Sequence, residues 1–254
     1  MRVAPQSDSM CPMNSVTQRH TLLALSILLS VGPSVSWSAQ DPPLAAPGIA
    51  RMVRLPAGGL QAVETTDGEL LFLSDNGRYV FRGPAADLWH GAKLTDLDTV
   101  QRLAGRIDLS RLKLDVGDLG AIDIGAGPDV IVFVDPYCPH SRAVLQDLEG
   151  LVSRYRFRLV ALPVLGEASQ QAVLALDCLA TTAPDAARQA LMGKTAMAQL
   201  PKPTGDCGQA PAQRALITAQ ILGIQGTPFL IAPDGRMRQG RPDTLGDWLD
   251  GGSL

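Results

Sequence analysis

Four consecutive residues, Cys138-Pro139-His140-Ser141, bring together a nucleophile, a rigid helix starter, a titratable ring and a hydroxyl. An apolar run, Val130 to Val134, and the turn Asp135-Pro136-Tyr137 precede them. A helical pattern begins immediately behind. A cysteine where a strand hands over to a helix sits among helix N-terminal amides, and their partial positive charge stabilises an anion. Its pKa is therefore expected below the free-thiol value of about 8.5. An unperturbed thiol is only about 3% ionised at pH 7, whereas a pKa near ~5 makes it almost wholly thiolate. His140 adds to the effect when protonated. Pro136, Pro139 and His140 argue for a surface turn, so an exposed, reactive Cys138 is expected rather than a buried, inert one.

Ser141 limits what this thiol can do. In a two-thiol site the first sulfur attacks a disulfide and the second expels it from the mixed disulfide. A hydroxyl cannot take that second role. Cys138 can attack and be held, and release then needs an outside thiol or a further thiol on the bound substrate. That chemistry leaves isomerisation, exchange with a small thiol such as glutathione, or substrate holding.

The other cysteines bear on whether Cys138 is free. The chain has 254 residues and four cysteines, with a net charge of −3, 46% hydrophobic and 19% charged residues. This composition fits a folded core rather than disorder, and no basic run marks it for nucleic acid. Thr21 to Val35 is apolar, with Arg19 and His20 before it and Ser36-Trp37-Ser38-Ala39 behind it. It is short for a membrane span and reads as a secretory signal, residues 1–39, with cleavage expected after Ser38. The length ahead of Arg19 points to a start at Met10 or Met13. Removal of 1–39 takes Cys11 away and leaves Cys138, Cys178 and Cys207, an odd number in an oxidising compartment. Pairing of Cys178 with Cys207 is favoured as structural, since the alternatives, through Cys138, would disable the proposed thiolate. No Cys or His lies near that pair at metal-ligand spacing, and no phosphate-binding loop is present, so neither metal nor cofactor is expected.

The elements that must position the thiol can be read on both sides of it. Val144, Leu145, Leu148, Leu151, Val152 and Tyr155 recur at helical spacing. Arg158 to Val164 is the next strand, which makes a βαβ unit with parallel strands. Helical segments follow at about 169–179, 183–192 and 212–222, with a loop at about 200–211. Thr227 to Ile231 reads as a strand beginning at Pro228, Pro233-Asp234-Gly235 as a turn, Arg236 to Arg238 as a strand and Leu245 to Leu249 as a last helix. Ahead of this region, Gln40 to Pro56 reads as an extended lead-in. Leu60 to Thr65, Leu70 to Leu73 and Arg78 to Arg82 then form an antiparallel meander stopped at Gly83-Pro84. A helical pattern starts at Thr95, with Asp96 and Asp98 in its first turn, and packs on the meander or links it to a second domain. Glycines between Asp115 and Pro128 mark a boundary.

Taken in this order, these features resemble the DsbC/DsbG family of periplasmic disulfide isomerases over about 60–249. They are the meander ending in Gly83-Pro84, the linker helix, Val130 to Ser141, Cys178 and Cys207, Met192-Gly193-Lys194, and Leu222 to Pro228. The resemblance implies an α+β chain: a signal peptide (1–39), a small antiparallel dimerisation domain (40–94), a linker helix and hinge (95–120), and a thioredoxin-like domain with a helical insertion (121–254). It implies that Cys178 and Cys207 form a non-catalytic disulfide. It also implies that Pro228 is cis and faces Cys138, with the Thr227 backbone binding substrate. Cys138 would be the attacking thiol, with exported cysteine-containing proteins as substrates and glutathione or a membrane thiol reductase as redox partner. Pro139-His140 resembles the dipeptide of the oxidase DsbA, associated with a very acidic thiol. Val132 stands where thioredoxin carries a buried acid, so that proton relay is not expected. Ser141 departs from the family pattern. Similar proteins occur among conjugative-transfer and secretion genes, which makes a redox-silent chaperone or assembly factor the alternative.

Overall fold

A computed structural model describes residues 9–13, 48–55, 59–109, 111 and 114–251. The apolar segment Thr21 to Val35, the Ser38 junction and most of the lead-in lie outside the described residues. Among those described, no helix is long and apolar enough to cross a membrane.

Among the described residues the first strand is β1 (Cys11–Pro12), two residues long, whose partner comes from the far end of the sequence. A four-stranded antiparallel sheet follows in the order β2 (Ile49–Arg54), β3 (Leu60–Thr65), β4 (Leu70–Ser74), β5 (Val80–Phe81). The expected meander is β3 to β5, with its third strand shorter than the pattern implied. β2 is new: Ile49–Arg54, within the stretch read as a lead-in, pairs with β3. Five of its six residues are exposed, so no burial alternation marked it in the sequence. A hairpin, β6 (Ala85–Asp87) with β7 (Ala92–Leu94), was also not expected. Asp87 closes it by accepting from the Trp89 and His90 amides at 2.9 and 3.1 Å, so the turn is written in a side chain rather than in a Gly dipeptide.

α1 (Leu97–Ala104) starts two residues later than the pattern suggested, because Asp96 caps it instead of lying inside it. Its carboxylate accepts the Thr99 amide at 2.7 Å. Leu97 and Val100 pack with Ala62 and Phe72 in a small core, so this helix covers the sheet.

The larger core belongs to a five-stranded sheet in the order β13-β12-β9-β10-β8. Its members are β8 (Ile122–Gly125), β9 (Asp129–Val134), β10 (Arg156–Ala161), β12 (Phe229–Ile231) and β13 (Met237–Gln239), and a short β11 (Gly226–Thr227) precedes β12. β9 and β10 are parallel, joined by α2 (Pro139–Asp147), and the other neighbours are antiparallel. Three helices, α3 (Glu167–Thr182), α4 (Pro184–Leu191) and α5 (Gln209–Ile221), are inserted between β10 and β12, and α6 (Leu245–Leu249) ends the order. This strand order and polarity is the thioredoxin-like fold, here with a helical insertion, in a chain of mixed α+β class.

Period-two alternation assigns both faces of this sheet. Val130, Val132, Val134, Phe157, Leu159 and Leu230 face α2, α3, α4 and α6. Ile131, Phe133, Val160, Phe229 and Ile231 face α5. Burial on both faces is why β9 reads as an unbroken apolar run instead of an alternating one. Cys178 on α3 is bonded to Cys207 ahead of α5, 29 positions on, with Cα atoms 5.2 Å apart. In the chain-entropy account such a bridge stabilises by roughly 3–4 kcal/mol.

Candidate thiol site

The site is built where β9 ends. Asp135 is the first residue past the strand, and it is fully buried. Its Oδ1 accepts the Tyr137 amide at 2.8 Å and the Ser169 hydroxyl at 2.9 Å. Its Oδ2 accepts the Val164 and Leu165 amides at 2.8 and 3.0 Å. Four donors thus hold one carboxylate and tie the turn before the thiol to the connection leading into α3. The Cys138 amide then donates to the Asp135 carbonyl at 3.1 Å.

Cys138 is the N-cap of α2 and Pro139 its first residue. Proline is suited there, since its ring sets φ and its missing N–H would have had no helical acceptor. Ser141 is fully buried, and its Oγ accepts the Asp135 amide at 3.2 Å. The hydroxyl at this position therefore closes the turn from inside. Pro139 is exposed and His140 half-buried at the head of the helix.

The facing wall is β11 and the start of β12. The Thr227–Pro228 peptide is cis. The Thr227 carbonyl oxygen lies 3.3 Å from Cys138 Sγ. Gln239 braces this wall: its amide nitrogen donates to the Gly226 carbonyl at 2.8 Å, and its oxygen accepts the Gln225 amide at 3.1 Å. Cys138, Pro139, His140 and Ser141 at the head of α2 are thus brought together with Thr227 and Pro228.

Cys138 itself departs from the expectation. It is neither exposed nor free: it is fully buried and bonded to Cys11, with Cα atoms 6.1 Å apart. Residues 9–13 lie across it. Cys11 and Pro12 pair antiparallel with Thr227 and Gly226, the Met13 amide donates to the Gln225 carbonyl at 2.8 Å, and the Arg241 amide donates to the Ser9 carbonyl at 3.1 Å. Without residues 1–39 the chain holds three cysteines, and Cys138 has no partner. The structure has two pairs, and no free cysteine among the described residues. Nothing in the spacing of Cys11 and Cys138, 127 positions apart, signals that a strand edge at Gly226-Thr227 would receive the segment.

Other contributors were also missed. Asp135 and Ser169 meet across 34 positions, and only the Asp-Pro pair at a strand end hinted at the first of them. Gln239 left no sequence signal. A cavity of about 890 Å³ lies at the opposite end of β9, lined by Asp129, Ile131, Arg158 and Asp234 among others, and does not include Cys138 or Thr227.

No protein-family model matches the sequence, and no curated protein matches it. Solved structures with a similar fold include ScsC of Proteus mirabilis in a compact conformation, at 23% identity, TM-score 0.46 and coverage of 54% of this chain and 74% of that one. The thiol-disulfide exchange protein α-DsbA2 of Wolbachia pipientis aligns at 18% identity and TM-score 0.43, over 56% of this chain and 92% of that one. DsbG of Helicobacter pylori aligns at 17% identity and TM-score 0.40, over 72% and 92%.

Proposed function

We propose that this protein catalyses thiol-disulfide exchange on exported, cysteine-containing proteins, isomerase-like, with Cys138 as its nucleophile. One observation carries the reading. Cys138, at the head of α2, is already in disulfide linkage with an extended segment that pairs antiparallel with Gly226-Thr227. A substrate held as a mixed disulfide would need that same arrangement.

The chemistry is set by the surroundings. Cys138 is the N-cap of α2, beside first-turn amides that have no acceptor within the helix. They lower the thiol pKa and favour thiolate. The thiolate attacks one sulfur of a substrate disulfide, forming a Cys138–substrate bond and releasing the other sulfur as a thiolate, which takes up a proton. Thr227 offers its backbone to the bound chain. Ser141 holds the Asp135 amide and contributes no sulfur. Release comes from another thiol of the substrate, which is isomerisation, or from glutathione or a membrane thiol reductase. Export through the apolar segment Thr21 to Val35 would place this chemistry in the periplasm.

The same reading makes the protein a homodimer through residues 40–94. Support comes from the outer strands of the first sheet, where Met52 on β2, Phe81 on β5 and Tyr79 just ahead of β5 are each more than half exposed. Edges of this kind invite pairing with another strand.

Refolding of scrambled ribonuclease with glutathione tests the activity. Cys138→Ala is expected to fall to the glutathione background, and the reduced wild-type thiol to titrate well below ~8.5. Equal rates for the two proteins would refute the reading. The closure of Cys138 by Cys11 in the oxidised chain favours one alternative, a redox-silent chaperone or assembly factor. Under that alternative Cys138→Ala keeps full activity in preventing aggregation.

A further inference from the structure

We propose that Cys11 is the resolving thiol that Ser141 cannot be, so that Cys11 and Cys138 form a redox couple closed by residues 9–13 docking as an added strand. This inference rests on the exchange chemistry assigned above to Cys138, and it adds a second sulfur to that chemistry.

The docking is built on both sides. Gly226 lies opposite Pro12, and a Cβ there would meet the Cys11 carbonyl directly, so the close approach of the two backbones requires glycine. Gly240 has φ +83°, and a Cβ there would run into the Ser9 hydroxyl. The segment is bonded to Gln225 and Arg241 at its two ends. Arg241 is itself held to Asp147 of α2 by two contacts of 2.8 and 3.0 Å. Cys11 is 7% exposed, and Met13 packs on the cluster that contains Cys138 and Phe229. Cys11 is thus presented to Cys138 along a strand edge and not by a loose tail.

The step balances. Cys138 holds a partner sulfur in a mixed disulfide. Cys11, having lost its proton to solvent, attacks Cys138 Sγ. A Cys11–Cys138 bond forms, the Cys138–partner bond breaks, and the partner leaves as a thiolate that is then protonated. Over the two steps both protein thiols are oxidised and one partner disulfide is reduced to two thiols. Two glutathione molecules, leaving as glutathione disulfide, return the couple to dithiol.

The couple requires residues 9–13 on the same side of the membrane as Cys138, so it excludes both cleavage after Ser38 and an uncleaved Thr21 to Val35 that leaves Cys11 behind; it rests on the exchange chemistry of Cys138 and not on the export route proposed above. The test uses the full chain, reduced and then given one equivalent of glutathione disulfide. Wild type is expected to pass through a transient adduct to an internal disulfide, located by peptide mapping at Cys11–Cys138. Cys11→Ala is expected to stop at one glutathione per chain on Cys138, with the adduct at least ~10-fold longer-lived, because a tethered thiol acts at an effective concentration on the order of millimolar. Adducts of equal lifetime in both proteins would overturn the couple and leave the exchange reading intact. Failure of Cys138 in Cys11→Ala to take up glutathione at all would instead strike the exchange reading, and the couple with it. The intact mass of the protein recovered from its producing cell is a second measurement. Retention of residues 9–13 supports the couple, and their loss overturns it for the cell.

Discussion

Asp135→Ala is expected to lower stability by roughly 3–5 kcal/mol, since it strands the four donors that one buried carboxylate now accepts. Three of them are backbone amides, at Tyr137, Val164 and Leu165, and cannot turn away without moving the chain. A domain holds only about 5–15 kcal/mol in total, so this change takes a large share of it. Asp135→Asn should cost far less, about 1–2 kcal/mol. Its oxygen can keep Val164 and Leu165 while its NH2 group donates to Ser169 Oγ, and only the Tyr137 amide loses its acceptor. Urea unfolding of the oxidised protein measures both. An Asp135→Ala loss under ~1 kcal/mol would mean that water replaces the carboxylate and that the turn before Cys138 is not anchored by it.

The second expected result concerns Asp177, a residue in no contact with the thiol chemistry. It lies on α3, next to Cys178, at 1% exposure, and neither carboxylate oxygen has a hydrogen-bond partner among the described residues. A Cβ on Gly120 would press against its carboxylate, so the space around it is tight. Burial pushes its pKa up from 3.8 to about 8. Linkage sets the sign. A carboxyl whose folded pKa is raised gives its full contribution below its unfolded value, and loses it as pH climbs to the folded value. Stability should therefore fall between about pH 4 and pH 8. At 1.36 kcal/mol per tenfold the ceiling is on the order of 5 kcal/mol. Asp177→Asn removes the charge that burial opposes. It should flatten this part of the profile and leave the variant more stable than wild type at pH 8 by about 2–5 kcal/mol. Melting temperatures across the pH series decide it. Parallel profiles for the two proteins would show that the charge is accommodated, by water or by movement of α3.

Which parts of this fold could be read from residues depended on how local their causes are. The β9-α2-β10 unit was legible because its apolar runs, the turn before Cys138 and the helical spacing from Val144 to Tyr155 all lie within one short stretch. α6 was legible for the same reason. β2 was not, because an exposed edge strand is defined by the neighbour it pairs with and not by its own alternation. The β6–β7 turn is held by the Asp87 side chain, which no turn dipeptide announces. Around the thiol, the facing of Thr227-Pro228 and Cys138 came from resemblance and not from spacing. The anchoring of Asp135 by Val164, Leu165 and Ser169, and the bracing of β11 by Gln239, join positions that only the folded sheet brings together. No pattern in residues 9–13 marks Cys11 as part of the folded chain, and its position ahead of Thr21 to Val35 points to removal.

The strand order also dictates how the molecule can be assembled in time. β9 gains β10 as its neighbour across a single helix, so that pairing closes early and cheaply. Its other neighbour, β12, waits beyond α3, α4 and α5, and the entropy of closing that longer stretch has to be met first. Thr227 and Pro228 arrive with β12. A newly made chain therefore carries Cys138 on a formed βαβ unit while the wall opposite is still absent. In that interval Cys138 lacks both Thr227 and Pro228 beside it. Pulse-labelled hydrogen exchange should find the amides shared by β9 and β10 protected before those of Phe229 to Ile231, and simultaneous protection would contradict that order.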